Sequence, residues 1–295
     1  ITDVLGIHER VLDPSVRDNM VIADFRNCEH KESYLLDLAH RGEKMVVYVN
    51  SREESVKLAR AIRKAVPELA WKTAFYNGGL KKAVRHEIER RFRTDEMLVC
   101  VATSAFGEGV NIPDIRHVVL YHMPFSDIEF NQMAGRAGRD GQKATIHLLF
   151  GERDSRINES ILSSLAPKRD ALAAVYKTLK DAQDADGPAF SLTNADIAER
   201  AGQWVTKDKG RIDEQSVSTG LGVFRELGLV RTTGNSSARR IEVVPTDEKL
   251  DLNSSTRYSE GRDEIESFAQ FKDWVTTAKG QELLERFNKP ILPSE

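Results

Sequence analysis

The chain has 295 residues, enough for two domains and a small extra element. Hydrophobic residues make up 40% and charged residues 30%, the composition of a soluble folded protein with a sizeable core. The net charge of −3 excludes a uniformly basic nucleic-acid coat but leaves room for a local basic groove, and no apolar run reaches membrane-spanning length. Two cysteines, Cys28 and Cys100, cannot by themselves make a four-ligand zinc site, and Cys100 lies in an apolar run that belongs in a core. No zinc, other metal site or membrane partner is expected. The cysteine usage and the missing signal-peptide pattern predict a reducing, cytoplasmic compartment. The sequence opens on Ile1 rather than methionine, so a longer parent chain is expected.

Residues 1–40 form a lead-in, with a strand expected at Val21–Phe25 and a helix at Lys31–His40. A regular alternation follows. Met45–Asn50 is a short β-branched run that predicts a buried strand, and Ser51 can cap the helix behind it. Trp71–Tyr76 predicts the next strand, Asn77-Gly78-Gly79 a turn, and Lys81–Phe92 a charged helix with Val84, Ile88 and Phe92 inward. The cations of that helix, Arg85 among them, are interspersed with Glu87 and Glu89 and read as a solvated face. Met97–Ala102, His117–Tyr121 and Thr145–Phe150 are three more strands. Strands alternating with helices predict an α/β fold, a parallel sheet covered on both faces, with ligands at the carboxyl ends of its strands.

The candidate residues fall at those ends. Ser51 and Arg52 follow one strand, Gly78 and Gly79 the next, and Thr103–Asn111 a third. Before the last strand lies Gln132-Met133-Ala134-Gly135-Arg136-Ala137-Gly138-Arg139-Asp140-Gly141. Glycine lets backbone approach a ligand, and arginine is a permanent cation whose planar fork matches phosphate oxygens. Were this segment helical, the three-residue spacing would put Arg136 and Arg139 on one face. No G-x-x-x-x-G-K-[ST] loop and no Asp-Glu box accompanies them, so these arginines are expected to complete a nucleotide site whose other half lies elsewhere.

Met45–Arg52, Tyr76–Leu80, Val101–Asp114 and Gln132–Gly141 resemble motifs IV, IVa, V and VI of superfamily 2 helicases, in the order of their second RecA-like lobe. Ala102–Gly107 and Ala134–Gly141 resemble the RecQ group most. Glu108 and Ile112 stand where RecQ proteins usually carry Met and Lys, and the cysteine-rich zinc subdomain is missing. The resemblance implies roles. Arg136 and Arg139 would act at the γ-phosphate with Gln132 orienting an arginine or a water, and Gly109 and Asn111 would approach the nucleotide. Ser51, Arg52, Gly78, Gly79 and Thr103 would hold nucleic-acid backbone. It also implies ATP and Mg2+ held mainly by an N-terminal RecA-like lobe of the same chain, DNA as partner, single-stranded or at a duplex junction, and a place at the bacterial nucleoid.

In the second half, Arg156–Leu165 and Lys168–Ala182 read as helices split by Pro167, with a polar hinge at Asp184–Pro188. A helix near Leu192–Ala198, another at Glu214–Leu227, and strands around Val230 and Arg239–Val244 follow the pattern of a winged helix. If it binds DNA, Gln215 and Ser216 lie at the start of the second helix and Arg239 and Arg240 on the wing. Such domains also serve as packing modules. Ser259–Lys279 predicts a tail helix whose stripe of Phe268, Phe271 and Trp274 reads as a docking face. The expected architecture is a RecA-like lobe (1–152), a helical connector (153–188), a winged-helix domain (189–247) and a helical tail (248–295). The tail resembles the end of RecJ-type single-strand exonucleases that carry a helicase-like region. A helicase half, a region appended to such an exonuclease, and a non-enzymatic DNA-binding scaffold all remain open at this point.

Overall fold

The computed structural model describes residues 17–107, 111–205, 212–234, 239–246 and 251–288. The chain divides into two compact units. The first runs up to Ser155 and includes the stretch from Phe271 onward; the second is Arg156–Gln270.

The first unit is built on β1 (Met20–Asp24), β2 (Met45–Tyr48), β3 (Thr73–Tyr76), β4 (Val99–Ala102), β5 (His117–Leu120) and β6 (Ala144–Leu148). All pair in parallel, in the order β1-β6-β5-β2-β4-β3. Every residue of β2, β4 and β5 is buried, the physical reason these strands are continuous apolar runs. Helices α1 (Lys31–Ala39), α2 (Arg52–Ala65), α3 (Lys82–Arg93) and α4 (Asp127–Ala134) link the strands. On one face Leu35 and Leu38 of α1 and Leu58 and Ile62 of α2 pack on Val47, Val101 and Val119. On the other, Phe106 packs edge-on against Tyr76 and against Phe92 of α3, with ring centroids 5.1 and 5.9 Å apart. β3 and β4 lie on one side of β2, and β5 and β6 on the other. The order therefore reverses at β2 and β5, where a doubly wound sheet opens a crevice at its carboxyl edge.

Two expectations shift. The strand begins at Thr73, and Trp71 is 88% exposed. Val84 is 45% exposed rather than inward, because α3 is rotated to bring Ile88 and Phe92 inward together with position 85.

Helices α5 (Glu152–Leu162), α6 (Arg169–Asp186), α7 (Asn194–Gly202) and α8 (Glu214–Glu226) precede the antiparallel hairpin of β7 (Val230–Thr233) and β8 (Arg240–Val243). The core of the second unit joins Leu172, Val175 and Leu179 of α6 to Ile197, Val217, Leu221 and Ile241. Thr193 and Asp196 close α7 with reciprocal backbone bonds, a device worth about 1 kcal/mol. The tail consists of α9 (Thr256–Thr277) and α10 (Gly280–Asn288). Within the first unit, Phe271 and Trp274 pack on Phe130 of α4, Arg286 pairs with Asp127 at 2.8 Å, and Arg26 donates to the carbonyls of Val275 and Ala278.

A buried polar chain crosses β5 and β6. Tyr34 Oη lies 2.7 Å from His147 Nδ1, His147 Nε2 3.0 Å from His117 Nδ1, and His117 Nε2 2.8 Å from Glu43 Oε2. With both rings neutral, donation runs from Tyr34 through His147 and His117 to Glu43 and every link is satisfied. Burial, reinforced by His117 and Arg41, pushes His147 down to about 3. An unfolded His titrates near 6.5, so between these values the unfolded chain binds the extra proton and stability rises with pH. The contribution is fully present above about pH 6.5 and is lost as pH drops toward 3. His147→Gln is predicted to lower the melting temperature at neutral pH and to flatten its decline on acidification. Parallel decline in the wild type and the variant would remove His147 from the acid response.

Candidate functional site

A cleft of about 740 Å³ opens at the carboxyl edge of the sheet, lined among others by Tyr48, Arg85, Ser104, Phe125, Gln132 and Arg136. Tyr48 ends β2, and Thr103–Gly107 turns back after β4 with the Phe106 N–H donating to the Thr103 carbonyl at 3.0 Å. Ser126 caps α4 by accepting the Glu129 N–H at 3.2 Å, and the Glu129 carboxylate accepts the Phe125 N–H at 2.6 Å. Burial raises the Glu129 pKa, opposed by its bonds from the Phe125 backbone and the Ser104 side chain. Glu129 thus ties the turn after β4 to the helix that carries Gln132.

The two arginines of the glycine-rich stretch do not lie on a helix face. α4 ends at Ala134, and the following chain turns through Gly138 (φ +53°) and Gly141 (φ +79°), both in the left-handed region that favours glycine. What gathers the arginines is this folded-back backbone. Arg136 donates to the Gly107 carbonyl, joining the two loops, and Arg139 Nε donates to the Gly135 carbonyl at 3.2 Å. From the lead-in, Arg17 donates to the carbonyls of Gly135 (3.0 Å) and Ala137, and Asn19 to those of Gly138 (2.7 Å) and Gln142 (2.8 Å). Asp140 is held by Arg116 at 2.6 Å. Burial and then Arg136 lower the Arg139 pKa; burial and then Arg139 lower that of Arg17. Burial raises Tyr48, whose hydroxyl donates to the Phe106 carbonyl at 3.3 Å beside Arg136. Chemically, this is a cluster of like charges at the edge of a cleft, a setting that favours an anion and above all a polyphosphate.

The other expected residues separate into groups. Gln132 is exposed at the cleft, Thr103 is half-buried at the end of β4, and Asn111 is exposed. Gly109 lies outside the described residues. Ser51 caps α2 by accepting the Glu54 N–H at 3.0 Å. Arg52 is exposed and its guanidinium lies alongside Gly78 and Gly79, within 4 Å of where a side chain on either would begin. The Gly79 N–H, expected to face a phosphate, is instead donated to Asn77 Oδ1 at 3.0 Å, while Asn77 is itself anchored on Ser55 at 3.0 Å. Two residues of the second unit also turn inward. Ser216 is buried, its hydroxyl donating to Asp213 at 2.8 Å, because Asp213 caps α8. Arg239 donates to Asn194 Oδ1 at 2.8 Å and the Leu192 carbonyl at 2.6 Å, bracing the entry to α7 rather than the solvent side of the hairpin. Gln215 and Arg240 remain exposed. Sequence reading missed Arg17, Asn19, Tyr48 and Glu129. For Arg17 and Asn19 no local signal exists, since their partners lie more than a hundred residues away.

Gly138 gives a test of the loop geometry. A Cβ there would meet the Gln142 carbonyl oxygen at 2.6 Å and Ala144 Cβ at 2.8 Å, whereas at Gly141 it would meet open space. Gly138→Ala is predicted to cost about 3 kcal/mol or more in urea unfolding, and Gly141→Ala only about 1 kcal/mol. Equal costs would contradict the crowded turn.

Residues 30–141 match the family described as Helicase conserved C-terminal domain. The chain is 33% identical over 141 residues to the probable ATP-dependent DNA helicase RecS of Bacillus subtilis, covering 48% of this chain and 28% of that one. It is 34% identical over 126 residues to the ATP-dependent DNA helicase RecQ of Haemophilus influenzae, covering 42% and 20%. With the mouse bifunctional 3'-5' exonuclease/ATP-dependent helicase WRN it shares 36% identity over 135 residues, 46% of this chain and 9% of that protein. The chain thus spans less than a third of each relative's length. The motifs, the parallel sheet and these likenesses make the first unit a superfamily 2 helicase C-terminal lobe of the RecQ-like type.

Proposed function

We propose that this chain is the C-terminal part of an ATP-dependent DNA helicase and that Arg136 and Arg139 complete a nucleotide site shared with an N-terminal lobe. The observation that carries this reading is the convergence of both arginines on one turn beside Gln132 and the cleft. The cationic rim fits a nucleotide's phosphates. ATP, when bound, supplies the phosphoanhydride bond whose cleavage powers movement. Arg139 and Arg136 then place guanidinium charge where negative charge is redistributed in the transition state, and Gln132 orients an arginine or the attacking water. Among the described residues no group of three or more His, Cys, Asp or Glu side chains is placed to hold a metal ion. Mg2+ would be held chiefly by the N-terminal lobe together with the nucleotide's phosphates.

Nucleic-acid backbone would run along Arg52, Gly78 and Thr103 at the ends of β2, β3 and β4. Phosphate contacts of this kind position a strand without reading its sequence. The second unit would act as a winged helix that meets DNA through the exposed Gln215 and Arg240, although Arg240 also donates to the Ala189 carbonyl at 3.2 Å.

The test is Arg139→Ala in the protein that carries both lobes. DNA-stimulated ATP hydrolysis is predicted to fall roughly a thousandfold, with nucleotide affinity changed far less. An unchanged hydrolysis rate would remove Arg139 from the mechanism.

A further inference from the structure

The helix that carries Gln132 is short. α4 has eight residues, and a helix of that length has little stability of its own and takes its direction from what packs on it. Its two sides do different things. Ile128, Glu129, Gln132 and Met133 line the cleft. Asp127 and Phe130, three residues apart, share the other side and meet the tail.

The tail bears on α4 at two points. The Trp274 ring stands edge-on to Phe130 with centroids 6.1 Å apart, and the Phe271 ring lies 6.3 Å from the same side chain. Arg286 of α10 places its guanidinium 6.0 Å from the Trp274 ring and 2.8 Å from Asp127, in the first turn of α4. The footing of the tail lies elsewhere. Arg26, held by Asp24 at 2.6 Å, donates to the carbonyls of Val275 and Ala278, and α10 packs along β1. A support anchored on the edge strand of the sheet thus presses on the side of α4 away from the cleft. The tail lies beyond residues 30–141, the stretch that matches the helicase family, so this contact is no part of the matched lobe.

We infer that Trp274 and Arg286 are positioning residues for ATP hydrolysis, holding α4 at the tilt that brings Gln132 to the nucleotide. The inference rests on the proposed nucleotide function. Neither residue lines the cleft, and both act through α4. Misplacing a reacting group by about 1 Å costs about a hundredfold in rate, so even a slight tilt of α4 is visible in turnover.

DNA-stimulated ATP hydrolysis is measured in the protein that carries both lobes. Trp274→Ala is expected to lower kcat about tenfold and Arg286→Gln about threefold, with KM for ATP changed less than about twofold in each. Trp274→Phe and Arg286→Lys are expected to recover part of the loss, and Trp71→Ala, at an exposed side chain outside the site, to change neither constant. The deciding readout is a cycle with Gln132, because a general loss of folded protein would scale every rate alike. In a Gln132→Ala background the tail substitutions are expected to cause less than about a twofold further fall. Equal losses in both backgrounds, or an unchanged kcat in Trp274→Ala and Arg286→Gln, overturn the inference, and the nucleotide reading stands if Arg139→Ala still suppresses hydrolysis. Should Trp274→Ala fail to fold, Arg286→Gln, at a half-exposed ion pair, decides by the same cycle. If the wild type hydrolyses no ATP, both fall together.

Discussion

Three guanidiniums share one backbone turn, and the rest of the candidate site depends on that arrangement. Arg17, Arg136 and Arg139 gather around Gly135–Ala137, and burial with mutual repulsion lowers the pKa of Arg17 and Arg139. Carbonyl oxygens hold the cluster together: Gly135 accepts from both Arg17 and Arg139, Ala137 from Arg17, and Gly107 from Arg136. A carbonyl orients a cation without neutralising it. The turn therefore fixes the geometry of the guanidiniums, which is what a site for developing phosphoryl charge requires.

The parallel sheet makes this possible. Because all six strands run parallel, the loops that follow their carboxyl ends arrive at the same edge. Glu129 fastens the turn after β4 to the start of α4, Arg136 fastens its end to Gly107, and Asn77 fixes the Gly78–Gly79 turn against α2. The tail adds a support on the far side of α4, where Phe271 and Trp274 cover Phe130. The helix carrying Gln132 is thus packed on a sheet, tethered at both ends and covered by the tail.

Much of this was legible in the sequence. Central strands buried on both faces must be apolar throughout, so β2, β4 and β5 stood out as short runs of aliphatic residues. The loops stood out because glycine and arginine recur where the strands end. Other features escaped for physical reasons. Arg17 and Asn19 act on backbone distant in sequence, and no local pattern encodes such a contact. On α3 a small rotation of the helix decides whether Val84 or Arg85 faces inward, and apolar spacing favoured Val84. Residue type could not show that Ser216 and Arg239 turn toward Asp213 and Asn194, since a polar side chain satisfies solvent and fold equally well.

The central claim is that the Gly135–Gly141 turn delivers guanidinium charge to a nucleotide held by another lobe. The most direct measurement is a structure of the two-lobed protein with ADP and aluminium fluoride, a mimic of the transferring phosphoryl group. The account predicts Arg136 or Arg139 within hydrogen-bond distance of the fluoride ligands, with Arg17 and Asn19 still bracing the turn. A closed, analogue-bound structure in which both guanidiniums point away from the nucleotide would contradict it.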